Sequence, residues 1–262
     1  MPLGDPRGPG VLHRTGADAP MSRAAGSHEG AQAKAGGRIG RFLRDNGLSL
    51  AFAMGFLLAI AGQAVAGRAE FNSQLITDGL APVSFPDYLT SSDFAVDVTE
   101  NWQSEYLQFF LYVFVTVWLV QRGSPESKST GKAGPESDRD QLTGGHAKAD
   151  SPRWAGARGW RQAVYSRSLG IVMGGIFLLS WYAQSVTGTA SYNEQRLRQL
   201  QAPVSWGEYL LRAEFWSRTL QNWQSELLAV ASMAVLSIYL RQRGSPESKP
   251  VGAAHTATGV EG

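Results

Sequence analysis

Glu105 and Glu226 are the residues best placed to do chemistry. Each closes the same pentapeptide, Asn101-Trp102-Gln103-Ser104-Glu105 and Asn222-Trp223-Gln224-Ser225-Glu226, and each pentapeptide opens an apolar run. An ionisable group drawn into a membrane span is expensive and marks a candidate functional position. Asn101 and Glu105 are four apart and share a helix face, as do Asn222 and Glu226. Trp102 and Trp223 lie about 100° round the helix, where an indole anchors in the headgroup layer. Gln63 and Gln184 stand four residues inside the ends of two other apolar runs. The expected site is a polar ring of Gln63, Asn101, Glu105, Gln184, Asn222 and Glu226. If it is buried, the two carboxylates oppose one another and call for a cation or amide partner. If it is not, Glu105 and Glu226 face headgroups and water as interfacial anchors. Carboxylates so placed could line a transport path or act as acid and base, but no substrate pocket or reaction motif accompanies them.

Other chemistries are thinly represented. There is no cysteine, so disulfides, thiolate metal sites and cysteine nucleophiles are excluded. The histidines, His13, His28, His146 and His255, fall in segments without apolar periodicity, so no catalytic or metal residue and no cofactor is nominated. The 24 Lys+Arg against 22 Asp+Glu leave a formal charge of +2, too balanced to imply nucleic acid as the partner of the whole chain.

The elements that must position the ring are four apolar blocks. Residues 48–67 are uncharged and at about 1.5 Å per residue cover about 30 Å, a bilayer core. Ala64-Val65-Ala66 resembles a signal-peptidase site, but the equivalent block 169–188 lies in mid-chain, which favours an uncleaved span. Residues 106–120 are too few to cross alone, so the second span is expected over 102–121 and the fourth over 222–240, each drawing in its pentapeptide. Gly123 in the following QRGSPESK suits a helix C-cap. Residues 1–37, 129–152 and 250–262 are polar and aperiodic and are expected to be disordered, with translation starting at Met1 or Met21. Trp154 and Trp160, among Arg153, Arg158 and Arg161, are expected to anchor on anionic lipid headgroups.

The second half repeats the first at a constant offset of 121 residues without a gap, and 32 of the 83 positions from Asn46 to Lys128 are identical. The expected architecture is all-α: a polytopic membrane protein of four transmembrane helices, as two parallel hairpin repeats over 38–128 and 153–249, related by an axis along the membrane normal. Cations flank the blocks on one side (Arg38, Arg41, Arg44, Arg122, Arg153, Arg241), which expects both termini and the linker in the cytoplasm. Arg196, Arg198, Arg212 and Arg218 in the second outer loop run against that bias.

RFLRDNGLSL at 41–50, APVSFPDYLTSSDF at 81–94, and the doubled NWQSE and QRGSPESK resemble a family of bacterial membrane proteins known as a domain of unknown function. The likeness covers roughly residues 38–250. It implies a four-helix inner-membrane protein and brings no activity, cofactor or catalytic residue. The function expected is a structural or partner-binding component of the membrane, in contact with an envelope protein or with copies of itself. The alternative is a small transporter or channel lined by the paired Glu and Gln residues, and after it a membrane enzyme.

Overall fold

In the computed structural model residues 38–260 are described, and over them the chain is all-α. The expectations for residues 1–37 and for the start at Met1 or Met21 lie outside the described residues. Eight α-helices occur there: α1 (Arg38–Asp45), α2 (Gly47–Thr77), α3 (Phe85–Leu89), α4 (Ser92–Val115), α5 (Trp160–Tyr165), α6 (Ser168–Arg198), α7 (Trp206–Leu210) and α8 (Ala213–Tyr239), with a 3-10 turn at Gly144–His146.

Two of them, α2 and α6, are long and apolar enough to cross a membrane. At 31 residues each they extend about 46 Å, beyond a hydrocarbon core of about 30 Å. Helices α4 and α8 do not meet that measure: the polar pentapeptide NWQSE falls inside the apolar stretch of each, and α4 stops at Val115. The second block also departs from its expected bounds. The helix begins at Ser92, ten residues before the expected 102, and stops at Val115, so residues 116–121 are not helical and Gly123, at φ +89°, bends a turn rather than capping a helix.

The described residues divide between Gly62 and Gln63 into two units. In the first, residues 40–62 expose nearly all their side chains. In the second, α4 is central and packs along α6 and α8.

The repeated residues fold the same local structures twice. The Asn72 side chain exchanges two hydrogen bonds with the Val83 backbone, at 2.8 and 3.1 Å, and Asn193 does so with Val204, at 2.8 and 2.9 Å. Ser84 caps α3 by accepting from the Asp87 N–H, and Ser205 caps α7 in a full capping box with Glu208. Tyr88 and Tyr209 then lie over Gly67 and Gly188; a Cβ on Gly188 would sit 2.6 Å from the Tyr209 hydroxyl oxygen. This close approach accounts for a repeated glycine beside a repeated tyrosine.

QRGSPESK is likewise one loop used twice, with the Gln121 and Gln242 N–H groups donating to Ser127 and Ser248 Oγ at 2.8 and 2.9 Å. Residues 129–152, expected to be disordered, form hydrogen-bonded turns around the 3-10 turn. Residues 250–260, also expected to be disordered, are held by the buried Lys249 ammonium, which donates to the carbonyls of Gly123 (2.6 Å), His255 (2.9 Å) and Ala257 (3.2 Å). Composition hides this order because backbone carbonyls supply it, rather than buried apolar area.

Candidate functional site

The polar side chains meet in a seam where α4, α6 and α8 converge. At the Ser92 end, Ser92 Oγ donates to Glu194 Oε1 (2.9 Å) and Ser191 Oγ donates to Asp93 Oδ1 (3.0 Å), joining α4 to α6. One turn on, the Arg218 guanidinium of α8 donates to Asp97 (2.9 Å) and to Glu100 (2.7 Å). Asp97 and Arg218 are the same position of the two repeats, 121 residues apart. The ion pair therefore joins equivalent points of the two halves of the chain.

Deeper along the seam Thr99 and Thr187 hydroxyls lie 3.4 Å apart, Gln184 Nε2 donates to Thr219 Oγ1 at 3.4 Å, and the Trp223 indole N–H donates to Gln103 Oε1 at 2.8 Å. Gln103 is 0% and Gln184 1% exposed. Among the described residues the Gln103 Nε2 and Gln184 Oε1 atoms, both buried, have no hydrogen-bond partner. Each such group costs about 1–3 kcal/mol. Trp181 closes the seam with rings 5.7 Å from both Phe177 and Trp223.

Arg218 faces more carboxylates than it can neutralise. Burial, then the neighbouring Glu100 charge, pushes Asp97 up to about 6, with Arg218 pulling the other way. Burial also raises Glu214, against the same Arg218 charge. It takes the Tyr209 phenol up to about 12, followed in effect by Glu214. Burial works against the Arg218 charge itself, but the hydrogen bond to Glu100 and the charges of Glu100 and Asp97 outweigh it. Among the described residues no cluster of three or more Asp, Glu or His side chains could hold a metal. A depression of about 540 Å³ lies at the other end of α4, against Tyr112, Thr116 and Ser127, and none of the seam residues lines it.

The expected ring is only partly assembled. Gln184 enters the seam, while Gln63 is half-buried. The Asn101 and Asn222 amides turn back onto their own helices, donating to the Asp97 and Arg218 carbonyls at 2.8 and 3.0 Å. Glu105 is exposed and Glu226 half-buried, each the other's electrostatic neighbour, so they form no buried carboxylate pair. Trp102 is exposed, whereas Trp223, expected as an interface anchor, spends its N–H inside on Gln103. Trp154 and Trp160 are exposed, edge to face at 6.2 Å, with Arg161 over the Trp160 ring. Drawing the pentapeptide into the second span already set Gln103 at the interface or in the bundle interior, whereas Thr219 and the Asp97–Arg218 pair were not picked out by sequence reasoning. The pair's signal was a mismatch, opposite charges at equivalent positions, which a search for identities passes over.

A family profile described as a domain of unknown function (DUF6766) matches residues 39–260. No curated protein matches the chain. No solved structure matches it either.

Proposed function

The chain belongs to the DUF6766 family, a domain of unknown function, and from that premise we propose that it is a four-span protein of the bacterial inner membrane serving as a structural or partner-binding component. The observation that carries this reading is that the polar side chains of the seam are spent on one another across the repeats, Arg218 on Asp97 and Glu100 and Trp223 on Gln103. Such pairing rigidifies a bundle and fills its interior. Membrane residence is supported by α2 and α6, and by α4 and α8 side chains that stay exposed although apolar, among them Phe109, Phe114, Leu228 and Leu236. Both termini and residues 129–152 are assigned to the cytoplasm by the flanking cations.

Periplasm-active reporter fusions test the topology: activity is expected at residue 80 or 200 and none at residue 135, and activity at 135 would overturn four spans. Halves 38–135 and 150–250 should co-purify from mild detergent, since α4 of the one packs on α6 of the other. A second reading, a small transporter, is favoured by the unpartnered Gln103 and Gln184 atoms inside the seam. Ion or solute flux into vesicles reconstituted with the purified chain, abolished by Gln184→Leu, would replace the structural reading with that one.

A further inference from the structure

The second repeat carries aromatic side chains where the first carries small or aliphatic ones. Trp181, Tyr182 and Trp216 stand at the positions of Ile60, Ala61 and Ala95, and Trp206 stands at that of Phe85. The four come from three helices, α6, α7 and α8, and together with Phe215 they wall an open cavity of about 280 Å³. Drug-sized ligands fill about 300–1,000 Å³, so this cavity suits a small group. The rings form walls rather than a stack. Trp181 and Trp216 meet at 75° with centroids 6.2 Å apart, Tyr182 and Trp206 at 71° and 6.2 Å, and Phe215 and Trp216 at 77° and 5.3 Å.

Two of the indoles turn their N–H groups to the protein. Trp206 donates to Ser185 Oγ at 3.0 Å and Trp216 to the Leu210 carbonyl at 3.0 Å, while Ser185 gives its own proton to the Tyr182 carbonyl at 2.7 Å. Ser185 is itself particular to this repeat, the equivalent residue being Ala64. An indole anchored in the headgroup layer keeps its N–H for lipid and water, so these rings are placed for their faces. Trp181 is held there at a cost: its buried N–H finds no hydrogen-bond partner among the described residues, a penalty that an aliphatic side chain would not carry. The chain's own cations stack elsewhere, Arg161 over Trp160, Arg196 over Tyr192 and Arg198 over Phe71. Among the described residues no lysine or arginine lies over the faces of this cage.

We propose that the cage is a binding site for a quaternary ammonium group, the trimethylammonium of choline or of a choline headgroup. Such a cation has charge but no N–H, so it is recognised by π faces rather than by hydrogen bonds, and the tryptophan face attracts it most. Apart from the Tyr182 phenol the cage side chains have no free donor to turn toward a ligand, which leaves an anion or a sugar unpartnered. An acyl chain would be served as well by aliphatic side chains such as those of the first repeat. The site lies within α6 to α8 and goes beyond the structural reading above, adding a small cation to the partners of the chain.

Calorimetry on the full chain, purified in a maltoside detergent, tests this. Choline is compared with its uncharged isostere, in which a tert-butyl group replaces the trimethylammonium. Choline should bind at least about tenfold more tightly. That comparison needs no substitution, and equal binding of the two, or no binding of choline, overturns the proposal. Tyr182→Ala and Trp216→Ala restore the residues of the first repeat and should each weaken choline binding about three- to tenfold, whereas Trp160→Ala, outside the cage, should leave it unchanged. Choline binding indifferent to both cage substitutions places the cation elsewhere and overturns the assignment. Competition by a short-chain phosphatidylcholine, and none by the matching phosphatidylglycerol, would identify a lipid headgroup as the source; displacement only by free quaternary cations would identify a soluble one.

Discussion

Exchanging the charges of Asp97 and Arg218 probes the junction between the repeats directly, because the two are equivalent positions in contact. Arg218→Asp removes the bridges to Asp97 and Glu100, at 2.9 and 2.7 Å, and sets a further carboxylate among those of Asp93, Asp97, Glu100 and Glu214. Exposed pairs are worth about 0–1 kcal/mol, and breaking a buried one costs about 3–5 kcal/mol. The Arg218 side chain is 29% exposed, Asp97 42% and Glu100 16%, so the bridges fall between those limits. With the added repulsion a loss of about 3 kcal/mol is expected. In the double variant, Asp97→Arg with Arg218→Asp, the pair is re-formed in reverse, and the new arginine also reaches Glu100 three residues on. It should therefore recover at least about 1 kcal/mol over the sum of the singles, where independent sites would add to within about 0.5 kcal/mol. Denaturant unfolding of the detergent-solubilised chain, followed by tryptophan fluorescence, measures the cycle. A double variant no better than that sum would refute the account of the seam as an inter-repeat contact. The same site sets a pH dependence. Asp97 binds its proton more tightly folded than unfolded, rising from 3.8 to about 6, so its contribution to stability is present below about pH 4 and lost as pH rises through about 6. That shift corresponds to about 3 kcal/mol, which screening at a 42% exposed side chain reduces to about 1 kcal/mol. Asp97→Asn should flatten the stability profile between pH 4 and 6.

Gly188→Ala should cost about 1–3 kcal/mol by driving a Cβ into the Tyr209 hydroxyl, and Tyr209→Phe in the same chain should relieve part of it, as unfolding midpoints would show. Leu200 holds the left-handed conformation, φ +57°, that Gly79 holds in the first repeat, so Leu200→Gly should raise the unfolding midpoint by an amount equivalent to about 1 kcal/mol. Lys249→Met removes the ammonium that ties together the carbonyls of Gly123, His255 and Ala257, and limited proteolysis should then cut residues 250–260 at least several times faster.

The helical class, the repeat and most of the local structure were legible in the residues alone. Asn72 and Asn193, Ser84 and Ser205, and the two QRGSPESK loops act on neighbours within about a dozen residues, so identical residues fold identically wherever they stand. Family membership was legible for the same reason, since the doubled motifs are contiguous strings. The use of the pentapeptides was decided only in three dimensions. Gln103 is buried and Gln224 exposed, and Trp102 is exposed while Trp223 bonds inward, although each pair is the same residue in the same motif. The difference is the neighbour: α4 has α6 along one side and α8 along the other, and no periodicity within a repeat encodes which helix of the other repeat it will meet. The Asp97–Arg218 pair and the carbonyl cage of Lys249 are of the same kind. Each joins residues more than 100 positions apart through charge or backbone groups that leave no mark on hydropathy.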